Sequence, residues 1–487
     1  MRSDRFAHKR IAAAAVCAAG LFGAAGGAHA ALTIIINNLN APGVGFNDTT
    51  PATPIGGNPG TTLGAQRLFA FTYAANLWGA ALTSNVPVRI NAQFSALTCT
   101  ATTGVLGSAG ATQIFANFPG APKLNTWYSY ALANKILGTD QNETPAAQIN
   151  ANFNVSIGTA GCLTASQWYY GLDSNEGAIT GGIDFVAVLQ HEMAHGLGFQ
   201  TFTNGSTGNF NSGLPSIWDH YLLDATNNVL WKDATAAQRV ASATSVDKLV
   251  WAGPIVNAAL PLVLRQGLPG AAMSGPAAGV LGGTTLTTGE ASFGAALTQA
   301  GVTADVMPVV SQTTAAGATG FGCGPLTTND ARAVNGRIAL IDRGACGFAV
   351  KAKNAQNAGA IGVLIANNAA GAAPGLGGTD ATVVIPTVSV SQADGNALKA
   401  ALVTRSRTAS GVIARIGLFG TQFAGADTLG RMKMYAPNPF AGGSSVSHYD
   451  TTASRNQLME PAINGDLTQS VIPPFDLTLP LFQEIGW

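Results

Sequence analysis

The sequence predicts an α+β fold in which a body carrying a histidine-bearing helix is followed by a second, β-rich α/β body. Three observations predict it. The stretch "HEMAHGLGF" at residues 191–199 closes an apolar helical run. The composition shifts between about residues 250 and 270 into an Ala/Gly/Thr-rich stretch of short strand patterns, and after about residue 420 the chain returns to Pro/Gly-rich loops ending in "LPLFQEIGW". The expected division is 1–30 as a leader, 31–250 as the first body, 251–420 as the second and 421–487 as a closing part.

The leader is read from basic "MRSDRFAHKR", followed by the apolar, Ala-rich "IAAAAVCAAGLFGAAGGAHA" with a small-residue cleavage site after Ala30. This implies export, to the extracellular space or a periplasm, with no membrane anchor after cleavage. Anchoring through Cys17 is disfavoured, because "AAAVC" has Ala where lipoprotein sites want Leu. About 457 residues then remain, enough for two or three domains. Formal charge is zero, only 10% of residues are charged and no Lys/Arg run follows the leader, so neither a nucleic-acid surface nor a polybasic membrane patch is expected. The 47% hydrophobic content excludes full disorder. Four cysteines follow the leader. Sequence proximity favours Cys99 with Cys162 and Cys323 with Cys346, although four cysteines allow three connectivities.

Along the chain, "LTIII" reads as a strand, and Leu68, Phe71, Ala75 and Trp78 recur at helical spacing. "VPVRINAQF" alternates as a half-buried strand. A second helix and strand are expected at "WYSYALANKILG" and "AQINANFNVSIG", followed by the helix "GIDFVAVLQHEMAHGLGF", ended by its glycines. In the second body, "GRIALIDRGACGFAVKAKNAQNAGAIGVLIANN" gives strand, turn, helix and strand, and "IPTVSVSQADGNALKAAL" gives strand and helix.

His191-Glu192-x-x-His195 on a helix sets two imidazoles one turn apart with a carboxylate beside them, the arrangement of a catalytic zinc site. Such sites take three protein ligands. The extended pattern would put the third histidine at 201, where this chain has Thr201. Two histidines remain after the leader. His220 lies in "SIWDHYLLD" on what reads as the next helix, and His448 lies in the Gly/Ser-rich loop "GGSSVSHYD", with Met459 following in "QLMEP". A Met-containing turn beneath the metal would give the imidazoles a hydrophobic floor.

"HEMAHGLGF" followed at long range by "SHYDTTASRNQLM" resembles the metzincin clan of zinc peptidases, within it the leishmanolysin-like branch, in which an insertion displaces the third histidine. The match lies at His191, Glu192, His195, Gly198, His448, Asp450 and Met459; Met459-Glu460-Pro461 stands where some metzincins carry a turn tyrosine. "IALIDRGACGFAVKAKNAQNAGAIGVLIANN" with "IPTVSVSQADGNAL" is similar to the protease-associated (PA) domain. The resemblance implies a zincin/metzincin catalytic domain interrupted by a PA domain. It implies one catalytic Zn2+ on His191, His195 and His448, with Glu192 as general base, Gly198 turning the chain out of the helix and Asp450 orienting a ligand imidazole. Substrates would be proteins or peptides. Asp342, Arg343 and Cys346 are expected to be structural residues of the PA domain. The Asn/Asp-rich loops leave calcium open, and oligomeric state is not readable. The rival readings are a zincin of another type using His220, and an exported zinc-binding or adhesion protein without turnover.

Overall fold

The computed structural model describes residues 30–144, 146–311, 320–464 and 466–487. The leader, apart from Ala30, and Cys17 lie outside the described residues. The interrupted body is built on a four-stranded sheet. Its strands are β1 (Ile34–Asn38), β2 (Val88–Ser95), β3 (Gly107–Ala111) and β4 (Ile149–Asn154), arranged in the order β1-β2-β4-β3. β1, β2 and β4 run parallel, and β3 is an antiparallel edge strand on β4.

Burial alternates strictly along β2, with Val88, Ile90, Ala92 and Phe94 facing inward. The outer face carries an amide ladder, Asn37 to Asn91 to Asn150. Helices α1 (Leu63–Ala81), N-capped by Thr62, and α3 (Phe185–Leu197) cover the inner face, and α2 (Tyr130–Leu137) packs against α3. These three helices match the expected ones to within a few residues.

α3 is the centre of this body. Every one of its residues except His191 is buried. Asp184 accepts the N–H groups of Val186 and Ala187, which fixes where the helix starts. The Leu197 carbonyl at its other end accepts the Ser129 hydroxyl and the Trp487 indole N–H. A Cβ at Gly196 would collide with Ile149, so this glycine allows the helix to lie directly on β4.

The core of this body includes Trp251, Val256, Leu260 and Leu264, so the boundary expected at 250/251 falls near residue 265. Helix α4 (Pro254–Val263) packs against the last helix of the chain, α7 (Thr478–Ile485), whose Glu484 accepts the N–H groups of Ile255 and Val256 at the start of α4. The composition shift was a poor guide here because α4, "PIVNAALPLV", is already Ala-, Pro- and apolar-rich.

The inserted body is organised around an eight-stranded mixed sheet. Its six central strands, in spatial order, are β5 (Gln266–Ser274), β10 (Ile413–Phe423), β6 (Val302–Pro308), β7 (Ile338–Asp342), β8 (Gly362–Ala366) and β9 (Thr387–Val390). β6 to β9 run parallel, and β10 is antiparallel to both its neighbours. Helix α5 (Phe348–Asn357) supplies the crossover from β7 to β8, and α6 (Gln392–Ala401) leads from β9 back to β10. β7 and β8 are buried on both faces, as parallel strands covered by helices require.

The two ends of this body lie side by side. Gln266 pairs with Phe423, and the Ala424 N–H donates to the Arg265 carbonyl. A long insertion therefore leaves and re-enters the first body at one place.

Disulfides join Cys99 to Cys162 and Cys323 to Cys346, one in each body. No helix among the described residues is long and apolar enough to cross a membrane. The Cys99–Cys162 link closes a loop with a sequence separation of 63, and such a loop restricts the unfolded chain by about 4 kcal/mol. Replacing both cysteines by Ser is expected to lower the unfolding free energy in denaturant titration by roughly that amount; a loss below about 1 kcal/mol would show that the link constrains little.

Candidate metal centre

The structure brings three of the four histidines after the leader together. The Nε2 atoms of His191 and His195 are 3.1 Å apart, and each lies 3.2 Å from Nε2 of His448. α3 sets the first two one turn apart, and His448 arrives from the segment that follows the inserted body. Among the described residues this is the one group of three or more His, Cys, Asp or Glu side chains that could hold a metal.

The second nitrogen of each ring decides what the triangle can be. His191 Nδ1 meets the Leu458 carbonyl, His195 Nδ1 the Phe199 carbonyl and His448 Nδ1 the Ser444 carbonyl, each at 2.8 Å. A carbonyl only accepts, so each Nδ1 carries the ring proton and each Nε2 presents a bare lone pair. Burial, the largest influence on all three rings, holds His191 down to about 4, His195 to about 3 and His448 well below the usual histidine range. Three neutral rings therefore aim three lone pairs at one point, where they cannot bond one another and require a cation. A tetrahedral zinc ion about 2.0–2.1 Å from each nitrogen spaces its ligand atoms about 3.3–3.4 Å apart, within a few tenths of an ångström of the separations here. The residues present fit that ion.

Glu192 is nearly buried and lies against the edge strand β3. Burial pushes its carboxyl up to about 8, against the pull of the Ala109 N–H. A dication in the triangle would act in the same direction as that N–H. A Cβ at Gly107 would come within 3.0 Å of the Glu192 carboxyl, so the strand can pass this close only without a side chain there.

Gly198, at φ 131°, closes α3 by donating to the carbonyls of Ala194 and His195. Met459 is fully buried in the core, and its neighbour Leu458 is the residue that orients His191. Asp450 does not orient an imidazole. One of its oxygens accepts the N–H and hydroxyl of Thr452, and main-chain carbonyls do the orienting instead. His220 is outside the triangle, on a short 3-10 turn (Ile217–His220), with Nε2 bonded to the Thr126 hydroxyl at 3.0 Å. This removes it as third ligand. Thr201 does not face the triangle; its hydroxyl bonds Asp219.

The turn bearing Met459 rests on two buried carboxyls. Asp476 accepts the Leu458 N–H at 2.7 Å, and Glu460 accepts the Gln457 N–H at 2.8 Å. Burial, helped by the neighbouring Asp466, Asp450 and Asp476, pushes Glu460 from an ordinary 4.5 up to about 9. A carboxyl whose folded-state pKa is raised contributes its full stability below its unfolded value and loses it as pH climbs from about 4.5 to about 9. Glu460→Gln is therefore expected to raise stability at pH 7, on the order of 2 kcal/mol, with the advantage vanishing below about pH 4.5. Melting curves across that range check it, and a variant no more stable than wild type at pH 7 would contradict it.

Residues 302–398 match the PA domain family, and they fall within the inserted body. Over 79 residues the chain is 42% identical to leucine aminopeptidase 2 of Arthroderma otae, covering 16% of this chain and 15% of that protein. Over 130 residues it is 35% identical to ER degradation-enhancing alpha-mannosidase-like protein 3 of Homo sapiens, covering 27% and 13%. Among solved structures it is similar to BSAP, a zinc aminopeptidase from Bacillus subtilis, with TM-score 0.22, 26% identity and coverage of 35% of this chain and 37% of that one. The aminopeptidase from Aneurinibacillus sp. strain AM-1 gives TM-score 0.21, 23% identity and coverage of 34% and 37%. The chain thus spans about a seventh of the length of these curated relatives and little over a third of these structures. What it shares with an aminopeptidase and with a mannosidase-like protein does not by itself set its chemistry. The match at 302–398, with the sheets and helices described above, makes the chain a mixed α/β protein containing a PA domain.

Proposed function

We propose that the chain is an exported zinc-dependent endopeptidase of the metzincin type, closest in plan to the leishmanolysin-like branch, with a PA domain inserted between its second and third metal ligands. The observation that carries the reading is the triangle of three unprotonated Nε2 atoms, with Glu192 next to one of them on α3.

His191, His195 and His448 would hold the metal. Zinc, when bound, lowers the pKa of a coordinated water toward neutrality and polarises the scissile carbonyl. Glu192 takes the proton of the attacking water and delivers it to the leaving amine. Its buried setting supports this role, since a general base works best with a pKa near the working pH. The Ala109 N–H holds the carboxylate in place between the two proton transfers.

β3 supports a peptide substrate. Its pairing with β4 uses one side of the strand, so the backbone groups of Gly107 and Ala111 point outward, as Ala109 does toward Glu192. An extended peptide added along this free edge would pass beside Glu192. The small side chains of "GSAGA" keep that path clear. The adhesion reading lacks support from the site, because a site that only held zinc would gain nothing from a buried, costly carboxylate at Glu192.

Two disulfides and an apolar leader support export. Glu192→Gln is expected to keep its zinc while cleavage of an internally quenched peptide with a blocked N-terminus falls by at least about a hundredfold. Wild-type cleavage only of peptides with a free N-terminus would replace the endopeptidase reading, and full activity in Glu192→Gln would remove Glu192 from the mechanism.

A further inference from the structure

Thr201 stands where a compact version of the motif would have its third histidine, and its surroundings show what it does instead. Its hydroxyl donates to Asp219 Oδ1 at 2.7 Å. Thr203 Oγ1 donates to Asp219 Oδ2 at 2.6 Å, and the same oxygen accepts the N–H and hydroxyl of Ser216 at 2.7 and 2.9 Å. Asp219 is fully buried. A buried carboxylate with four donors is a strong anchor, because charge-assisted bonds are about twice as strong as neutral ones and each donor that lets go leaves the charge less satisfied.

The segment held by this carboxylate, residues 199–203, reaches two of the three metal-site histidines. The Phe199 carbonyl accepts Nδ1–H of His195 at 2.8 Å and fixes that ring's tautomer and tilt. The Thr201 N–H donates to Ser447 Oγ at 3.2 Å, and Ser447 is the neighbour of His448. The loop "GGSSVSH" turns on itself, with the Ser444 and Ser445 N–H groups on the Ala441 carbonyl and His448 Nδ1–H on the Ser444 carbonyl. Its place relative to the rest of the body is fixed by the Tyr435 N–H on the His448 carbonyl, by the Val446 N–H on the Tyr435 carbonyl and by this contact with Thr201.

We propose that Asp219 is a positioning residue of the metal centre: through Thr201 and Thr203 it fixes the exit of α3, and so sets both the carbonyl that orients His195 and the contact that seats the loop bearing His448. The inference rests on the zinc reading above. It gives the departure at position 201 a purpose, since a threonine there links a buried anchor to the distant loop that replaces the missing ligand. Asp219 touches neither metal nor substrate in this account. It acts through two backbone groups, the Phe199 carbonyl and the Thr201 amide.

The test must separate positioning from plain support of the fold, because Asp219 also closes the capping box with Ser216. Zinc affinity is measured by competition with a chromophoric chelator, and site geometry by the visible spectrum of the Co2+-substituted protein. The panel is wild type, Asp219→Asn, Thr201→Val, Thr201→Ser, Ser447→Ala and Asp224→Asn. Asp224 is an equally buried carboxylate nearby that caps the turn at Thr226 and Asn227 and has no bond to residues 199–203.

Asp219→Asn and Thr201→Val are expected to lose about tenfold or more in zinc affinity and to shift the cobalt spectrum. Thr201→Ser should restore wild-type behaviour, Ser447→Ala should fall between, and Asp224→Asn should lose stability but keep its zinc affinity. Wild-type zinc binding in Asp219→Asn and Thr201→Val, or equal weakening in Asp224→Asn, would overturn the proposal. If Asp219→Asn does not fold, the contrast of Thr201→Val with Thr201→Ser, together with Ser447→Ala, decides. Absence of zinc binding in the wild-type chain would overturn the zinc reading, and this inference with it.

Discussion

The metal centre depends on three hydrogen bonds, from the Nδ1–H groups of His191, His195 and His448 to the carbonyls of Leu458, Phe199 and Ser444. Each bond fixes a tautomer, and together they leave three lone pairs converging on one point. Without a cation this arrangement is repulsive, and the burial of all three rings removes protonation as a way out. The fold therefore supplies the cost of assembling the ligands in advance, which is the condition for tight and geometrically defined metal binding.

That condition is hard to meet with a ligand separated from its partners by an entire second body. The chain solves it in two ways. The ends of the insertion meet, at Gln266 and Phe423, so the inserted sheet does not pull the first body apart. The segment after the insertion then holds α3 along its length. Gln469 donates to the Asp184 carboxylate that caps the helix start, and its carbonyl accepts the Gln190 amide. Leu458 takes His191, and the Trp487 indole takes the Leu197 carbonyl at the helix end. α3 is thus fixed by the same segment that delivers the third histidine, so the distance between the two ligand sources is not left to a flexible linker.

The strongest local patterns were legible in the sequence. α3 opens on an apolar run and ends on closing glycines, and "HExxH" survives reading without any fold. His448 could be named because few histidines exist to choose from and because Met459 follows it. What was not legible was carried by backbone atoms. No side-chain pattern announces that Phe199, Ser444 and Leu458 present carbonyls to imidazoles, and for that reason Asp450, a side chain at a suggestive spacing, was expected to do their work. Gly107 and Ala109 lie in a run of small residues without periodicity, so their place against Glu192 depends on the pairing of β3 with β4, a long-range fact. Asp219 did carry a signal, the Ser-x-x-Asp of a capping box, but its neighbour His220 drew the chemical reading to itself. The boundary near 265 was misplaced because α4 shares its composition with the insertion, while its packing partner α7 lies at the far end of the chain.

The central claim is that the metal ligands are His191, His195 and His448, brought together across the inserted PA domain. It is tested most directly by zinc content per chain, from elemental mass spectrometry, of the purified wild type, His448→Ala and His220→Ala. The account predicts close to one zinc in the wild type and in His220→Ala, and a large loss in His448→Ala. Full zinc in His448→Ala with loss in His220→Ala would contradict it, and with it the role assigned to the turn at Met459.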